Sequence, residues 1–328
     1  MKSKMVRKLT ALFVAGTMMA AMGTTVMAEP QDVTITKKLV KDVNAYAPNT
    51  EFEFTVAPGA AGATIEGMPI TAGPVGGVTF ADGTDYVKFT GGIGETEMTE
   101  TLTLSVNMDS FTEPGIYRYA VSEVAGTYEG VQYDATTKNF DVYVNSDGQV
   151  YAYTFTDGSA EDGKDDGVFT NTYNESTGLG NLKITKEVTG NQGNKSQEFT
   201  FTIGVTGAEG EQYHVVYGDN ESAELTSGQT AKITLTDGET ATIYGLSASD
   251  QYTVTEDDYS DQGYTTTINK ATTNTVTGTL ADAKEINVVN DKDATTPTGI
   301  VTDVAPYVIM VAAAVILGFA FLRKRSYK

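Results

Sequence analysis

The chain has 328 residues, with 22 Lys and Arg against 43 Asp and Glu, one His and no Cys, and a net charge of −21. An acidic surface of this strength repels phosphate backbones and excludes nucleic acid as a partner. The lack of Cys excludes disulfide staples and any cysteine nucleophile, a Cys–Gln thioester included.

In chain order, Lys2, Lys4, Arg7 and Lys8 precede an apolar stretch, and "VMA" at 26–28 sets small residues at the −3 and −1 positions. This is the layout of a secretory signal peptide, so residues 1–28 are expected to be removed after Ala28. "VTITKKL", 33–39, then alternates as a strand does, and Lys37 shares a face with Val33, Ile35 and Leu39. A lone inward lysine is costly unless something pairs or reacts with it. "EFEFTV" at 51–56, "YAVSE" at 119–123 and "VFTN" at 168–171 continue the strand pattern to residue 173. Their alternation sets Glu123 on the face of Tyr119 and Val121, and Asn171 on the face of Phe169. Residues 57–100 and 157–167 are expected to be extra loops of this first domain, 29–173. The second of these, "DGSAEDGKDDG", has the acidity of an EF-hand loop. It carries Asp162 where such a loop needs Gly and Val168 where it needs Glu, so no metal is expected there.

"NESTGLGN", 174–181, reads as a linker, after which the first pattern returns in order. "LKITKEV" (182–188), "EFTFTI" (198–203), "YTVTE" (252–256) and "VVN" (288–290) answer the four earlier segments. A second copy of the domain is therefore expected over 182–291. Lys186, Glu256 and Asn290 take the inward places of Lys37, Glu123 and Asn171. The one histidine, His214, has no nucleophile signature near it and reads as an exposed or edge-strand residue. Acid pairs elsewhere sit in turns, where solvation accounts for them. Short strands, frequent turns such as "SDGQ" and "TDGE", and the lack of a sustained helical period predict an all-β chain of two tandem immunoglobulin-like sandwiches.

At the C-terminal end "TPTG", 296–299, is followed by a nearly unbroken apolar run from Val304 to Leu322 and by Arg323, Lys324, Arg325 and Lys328. The run is long enough for a transmembrane helix, which needs ~20 residues, and the basic tail orients it with its end inside the cell. Motif, span and tail resemble the cell-wall sorting signal (292–328) of Gram-positive surface proteins, which a sortase cuts between Thr298 and Gly299. Thr296 stands where a Val-Pro-Thr-Gly variant has Val. Removal of both ends takes away eight of the 22 basic residues and one of the 43 acids, leaving 14 against 42 and a net charge of −28.

Three inward polar residues, reproduced in both repeats, admit two readings. One is a buried, non-covalent Lys–Glu–Asn hydrogen-bond network. The other is chemistry: desolvation disfavours both charged forms, leaving a neutral, nucleophilic amine beside a neutral, proton-donating acid. In that reading the acid polarises the Asn side-chain carbonyl, the amine attacks, and ammonia leaves from a geometry held by the fold.

The Lys/Glu/Asn sets, the repeated domain and the Pro-Thr-Gly motif together resemble the two-domain major (backbone) pilins of Gram-positive bacteria, of the streptococcal FctA/T-antigen type. The resemblance implies CnaB/FctA-like sandwiches with isopeptide bonds Lys37–Asn171, promoted by Glu123, and Lys186–Asn290, promoted by Glu256. It implies no cofactor and no enzyme activity on external substrates. It further implies polymerisation by a pilus-specific sortase, in which Thr298 of one subunit is joined to a lysine of an identical subunit, with Lys164 as acceptor and Lys183 and Lys138 in reserve. Peptidoglycan or a wall-anchored base subunit, and a tip adhesin, would be the remaining partners on the cell surface. A wall-anchored adhesin or minor pilin built from the same domains is the alternative.

Overall fold

A computed structural model describes residues 33–62, 64–65, 67–156, 164–282 and 284–294, with a few positions between 307 and 315. The expectations for residues 1–28, for the 157–163 part of the acidic loop, and for Thr298 and Gly299 lie outside the described residues. Among the described residues no helix is long and apolar enough to cross a membrane; most of the run 304–322 is not among them.

The first domain is a sandwich of a four-stranded and an eight-stranded sheet. In the smaller sheet, strand Val33–Lys41 lies between Val168–Tyr173 and Glu97–Val106, with Val78–Phe80 at the edge. In the larger, Gly115–Glu123 lies between Phe52–Pro58 and Thr137–Val144, and Val150–Thr156 and Lys164–Asp165 extend the sheet outward. Ile35, Leu39, Phe52, Phe54, Leu102, Leu104, Val121, Phe140 and Phe169 fill the space between the sheets.

The second domain repeats the plan. Gly180–Thr189 lies between Thr240–Leu246 and Glu285–Asp291 in a seven-stranded sheet, and Phe199–Thr206 pairs with Gln251–Glu256 in the facing four-stranded one. Leu182, Ile184, Phe199, Phe201, Ile243, Val254, Ile286 and Val288 form its core. The expected all-β, two-sandwich architecture is therefore present.

In both domains the first strand pairs in parallel with the last. Lys37 stands opposite Phe169 and Leu39 opposite Asn171; Lys186 stands opposite Val288 and Val188 opposite Asn290. Each Lys and its Asn are thus one same-face step apart, roughly 7 Å along the strand, a gap that a lysine side chain can span.

Three expectations fail here. Residues 57–100 are not simply loop: they hold Thr64–Ile65, Met68–Ala72, Val78–Phe80 and Tyr86–Val87, and the start of Glu97–Val106. Threonine and glutamate on the outer face of "EMTETLTLSV" hide its alternation, whose inner face buries Leu102 and Leu104. Within 157–167, Lys164–Asp165 is a short strand paired with the end of Val150–Thr156. His214 is neither exposed nor at an edge. Its strand, Gln212–Tyr217, is paired on both sides, and its half-buried ring lies between Tyr46 and Tyr244.

Candidate functional site: two buried Lys–Glu–Asn clusters

Lys37 comes from the smaller sheet of the first domain and Glu123 from the last position of Gly115–Glu123 in the facing sheet. Their parity turns both into the core, so the charged ends meet where water does not reach. Lys37 Nζ lies 2.8 Å from Glu123 Oε2, and both side chains are fully withdrawn from solvent. Asn171, 0% exposed, donates from Nδ2 to Glu123 Oε1 at 2.7 Å. The rings of Phe52 and Phe54 form the apolar wall, 5.4 and 6.0 Å from the lysine nitrogen.

Burial pushes the Lys37 ammonium below its usual range, against the opposing pull of Glu123. Burial likewise raises the Glu123 carboxyl, against its contacts with Lys37, Asn171 and the Asp134 main chain. Both directions favour a neutral amine beside a neutral acid.

The second cluster has the same members at the same places. Lys186, Glu256 and Asn290 are all 0% exposed. Lys186 Nζ is 3.4 Å from Glu256 Oε1 and 4.2 Å from the centroid of Phe199, the counterpart of Phe52. Desolvation lowers Lys186 and raises Glu256, as in the first domain. The set is more loosely joined: Asn290 Oδ1 and Nδ2 and Glu256 Oε1 find no hydrogen-bond partner, whereas the Thr266 hydroxyl donates to Glu256 Oε2 at 3.0 Å.

All six residues singled out by strand parity are thus inside, in two groups of three. Three further groups hydrogen-bond to the clusters and were not read from the sequence: the Asp134 main-chain N–H, the Thr266 hydroxyl and the Glu187 carbonyl, which accepts from Lys186 Nζ at 3.2 Å. The Asp-x-Thr turn at 134–136 was the available signal, but a turn does not reveal what its N–H will face.

The candidate acceptor lysines are differently placed. Lys164 opens the two-residue strand Lys164–Asp165, paired with the end of Val150–Thr156. Lys138 is 7% exposed and bridges to Asp165 at 2.5 Å, over the ring of Phe169, so its amine is engaged. Lys183 keeps half of its side chain in solvent. No group of three or more His, Cys, Asp or Glu that could hold a metal occurs among the described residues.

Comparison with known proteins agrees with this fold. The family model described as a Spy0128-like isopeptide containing domain (FctA) matches residues 33–174, and a domain family of unknown function matches 180–292. A pilin of Streptococcus pyogenes serotype M1 is 29% identical over 325 residues, covering 90% of this chain and 91% of that protein. The pilus tip adhesin Cpa of Streptococcus pyogenes is 34% identical over 125 residues, 37% of this chain and 18% of the adhesin. The crystal structure of the major pilin from Streptococcus pyogenes shares the fold, with a TM-score of 0.55 at 24% identity over 80% of this chain and 99% of that one. The resemblance to streptococcal major pilins read from the sequence therefore extends over nearly the whole chain.

Proposed function

We propose that this chain, a relative of the streptococcal major pilins, is the backbone subunit of a covalently polymerised pilus on a Gram-positive cell surface, cross-linked within each domain by a Lys–Asn isopeptide bond. The observation that carries the reading is the paired occurrence of buried Lys–Glu–Asn clusters between the first and last strands of both domains. In each, the lysine nitrogen attacks the Asn side-chain carbon, the Nζ–Cγ bond forms and the Cγ–Nδ2 bond breaks. One proton passes from the amine to the glutamate carboxyl and one from that acid to Nδ2, which departs as ammonia. The acid is regenerated, so Glu123 and Glu256 act as proton relays.

Polymerisation follows from the ends. A pilus-specific sortase cleaves between Thr298 and Gly299 and transfers Thr298 to Lys164 of an identical subunit; the last subunit is joined to peptidoglycan or to a base subunit, and a tip adhesin completes the fibre. Tension entering at Lys164 then runs through Val168–Tyr173 and the linker to Lys186, and crosses the second isopeptide bond to Asn290. Strands Gly180–Thr189 and Glu285–Asp291 are parallel neighbours, so the bond shunts the intervening chain and the domain cannot be pulled open without breaking it.

The similarity of part of the chain to a tip adhesin supports one other reading, a wall-anchored adhesin or minor pilin. Co-expression of the full chain with a pilus-building sortase in a Gram-positive host separates the two. A ladder of detergent-resistant polymers, lost in Thr298→Ala and Lys164→Ala, is expected. A wall-linked monomer without a ladder would establish the adhesin reading instead.

A further inference from the structure

The two clusters are not equivalent, because the first holds a hydrogen-bond donor that the second lacks. The main-chain N–H of Asp134 donates to Asn171 Oδ1 at 2.7 Å and to Glu123 Oε2 at 3.2 Å. A main-chain N–H can only donate, so it fixes the orientation of the Asn171 amide, with Oδ1 toward Asp134 and Nδ2 toward Glu123. In the second cluster Asn290 Oδ1 has no donor.

The side chain of Asp134 holds that N–H in place. Its Oδ1 accepts from the Thr136 N–H at 2.9 Å and the Thr136 hydroxyl at 2.6 Å, and its Oδ2 accepts from the Thr170 N–H at 2.8 Å. Thr170 adjoins Asn171, so one carboxylate ties the turn carrying the donor to the strand carrying the reacting amide. Attack on the Asn171 Cγ shifts electron density onto Oδ1. A fixed donor aimed at a developing oxyanion in a dry site strengthens as that charge grows and requires no reorganisation.

We propose that Asp134 belongs to the bond-forming machinery of the first domain: its main-chain N–H is the oxyanion donor for Asn171, and its side chain is the positioning group for that donor. Glu123 remains the proton relay between Lys37 Nζ and Asn171 Nδ2. The consequence is an order of events, with the Lys37–Asn171 bond closing before Lys186–Asn290. This inference rests on the isopeptide reading above.

The test follows both bonds in one molecule. Residues 29–298 are synthesised in a cell-free system with a brief isotope pulse, quenched in denaturant at intervals and digested, and the two linked peptides are quantified by mass spectrometry. The temperature is one at which the Glu123→Ala/Asp134→Ala double variant, which cannot close the first bond, is folded by circular dichroism. Asp134→Ala is expected to slow the first bond by about tenfold or more, less than the roughly 10²–10³ for outright loss of an oxyanion donor because the N–H remains and only its positioning is lost. The second bond should keep its rate, and Asp134→Asn, which retains an acceptor oxygen, should recover much of the first. An unchanged first-domain rate in Asp134→Ala, an equal slowing of both bonds, or no recovery with Asn would overturn the role of Asp134. Absence of both linked peptides from the wild-type chain would instead overturn the isopeptide reading itself.

Discussion

The Asn171 side-chain amide donates to Glu123 Oε1 at 2.7 Å, so the carboxyl touches the nitrogen that would leave rather than the carbonyl that would be attacked. The acid therefore does not meet the carbonyl it was expected to polarise: Glu123 lies between the two nitrogens, and a main-chain N–H lies on the oxygen. Glu123→Gln retains the size but cannot relay a proton. It is expected to leave the first domain unlinked and the second linked. Loss of a cross-link closing so long a loop lowers stability by about 4–5 kcal/mol on chain-entropy grounds. Intact mass and denaturant unfolding read the two effects separately.

Phe199 forms the apolar wall of the second cluster. Its ring is 4.2 Å from Lys186 Nζ and is fully buried. Phe199→Ala removes a core ring, at a cost of about 3–5 kcal/mol, and opens space beside the lysine that water can enter. The ammonium then regains its ordinary basicity, so the Lys186–Asn290 bond should form slowly or not at all while Lys37–Asn171 is unaffected. Phe199→Leu, which keeps the wall apolar, should still link.

A third buried cluster joins the two domains. The Tyr213 hydroxyl lies 2.9 Å from Glu211 Oε2 and 3.1 Å from Asp250 Oδ2, and the Tyr173 hydroxyl of the first domain donates to Glu211 Oε1 at 3.2 Å. Tyr213 has one proton for two acceptors, so its hydroxyl cannot satisfy both carboxyl groups at once. Burial, reinforced by Glu211, raises Asp250 to about 7. The Ala208 N–H donates to Glu211 Oε2 and the Ser247 N–H to Asp250 Oδ2, each at 2.9 Å, and the other titratable groups facing the pair are Tyr128 and Glu129. A raised folded-state value means that the stability tied to the Asp250 proton is full below the unfolded carboxyl range and is lost as pH rises through about 7. Melting temperature is expected to fall from pH 5 to pH 8, and Asp250→Asn should flatten that slope. An equal slope in the variant would place the pH dependence in the general negative charge instead.

Lys138 and Lys164 should separate stability from assembly. Lys138 is paired inside with Asp165, whose Oδ1 also accepts from the Gly167 N–H. Lys138→Met is expected to destabilise the first domain by about 1–3 kcal/mol by leaving that carboxylate unpaired, without affecting the polymer ladder. Lys164→Ala should do the reverse.

Strand parity made the six cluster residues legible because the relevant stretches run without a bulge. The register shifts at Val150/Ala152 and Gly180/Asn181 fall outside them. Parity says which face a residue takes, but not what a distant turn will bring to it, so Asp134 and Thr266 were invisible. The same limit hid Glu211 and Asp250. Acids in turns read as solvated, yet these two are 3% and 2% exposed because they lie at the junction between the domains. Glu97–Val106 escaped for another reason: its outer face is Thr and Glu, and only pairing with Val33–Lys41 makes its short apolar face a core element.

Whether both clusters react is read most directly from the intact mass of the recombinant segment 29–298. Two closed bonds give a deficit of about 34 Da from the calculated mass, one ammonia for each lysine acylated, reduced by about 17 Da in Glu123→Ala and again in the double variant with Glu256→Ala. The full calculated mass in the wild-type chain would contradict the isopeptide reading, leaving two buried hydrogen-bonded triads in a pilin-like fold.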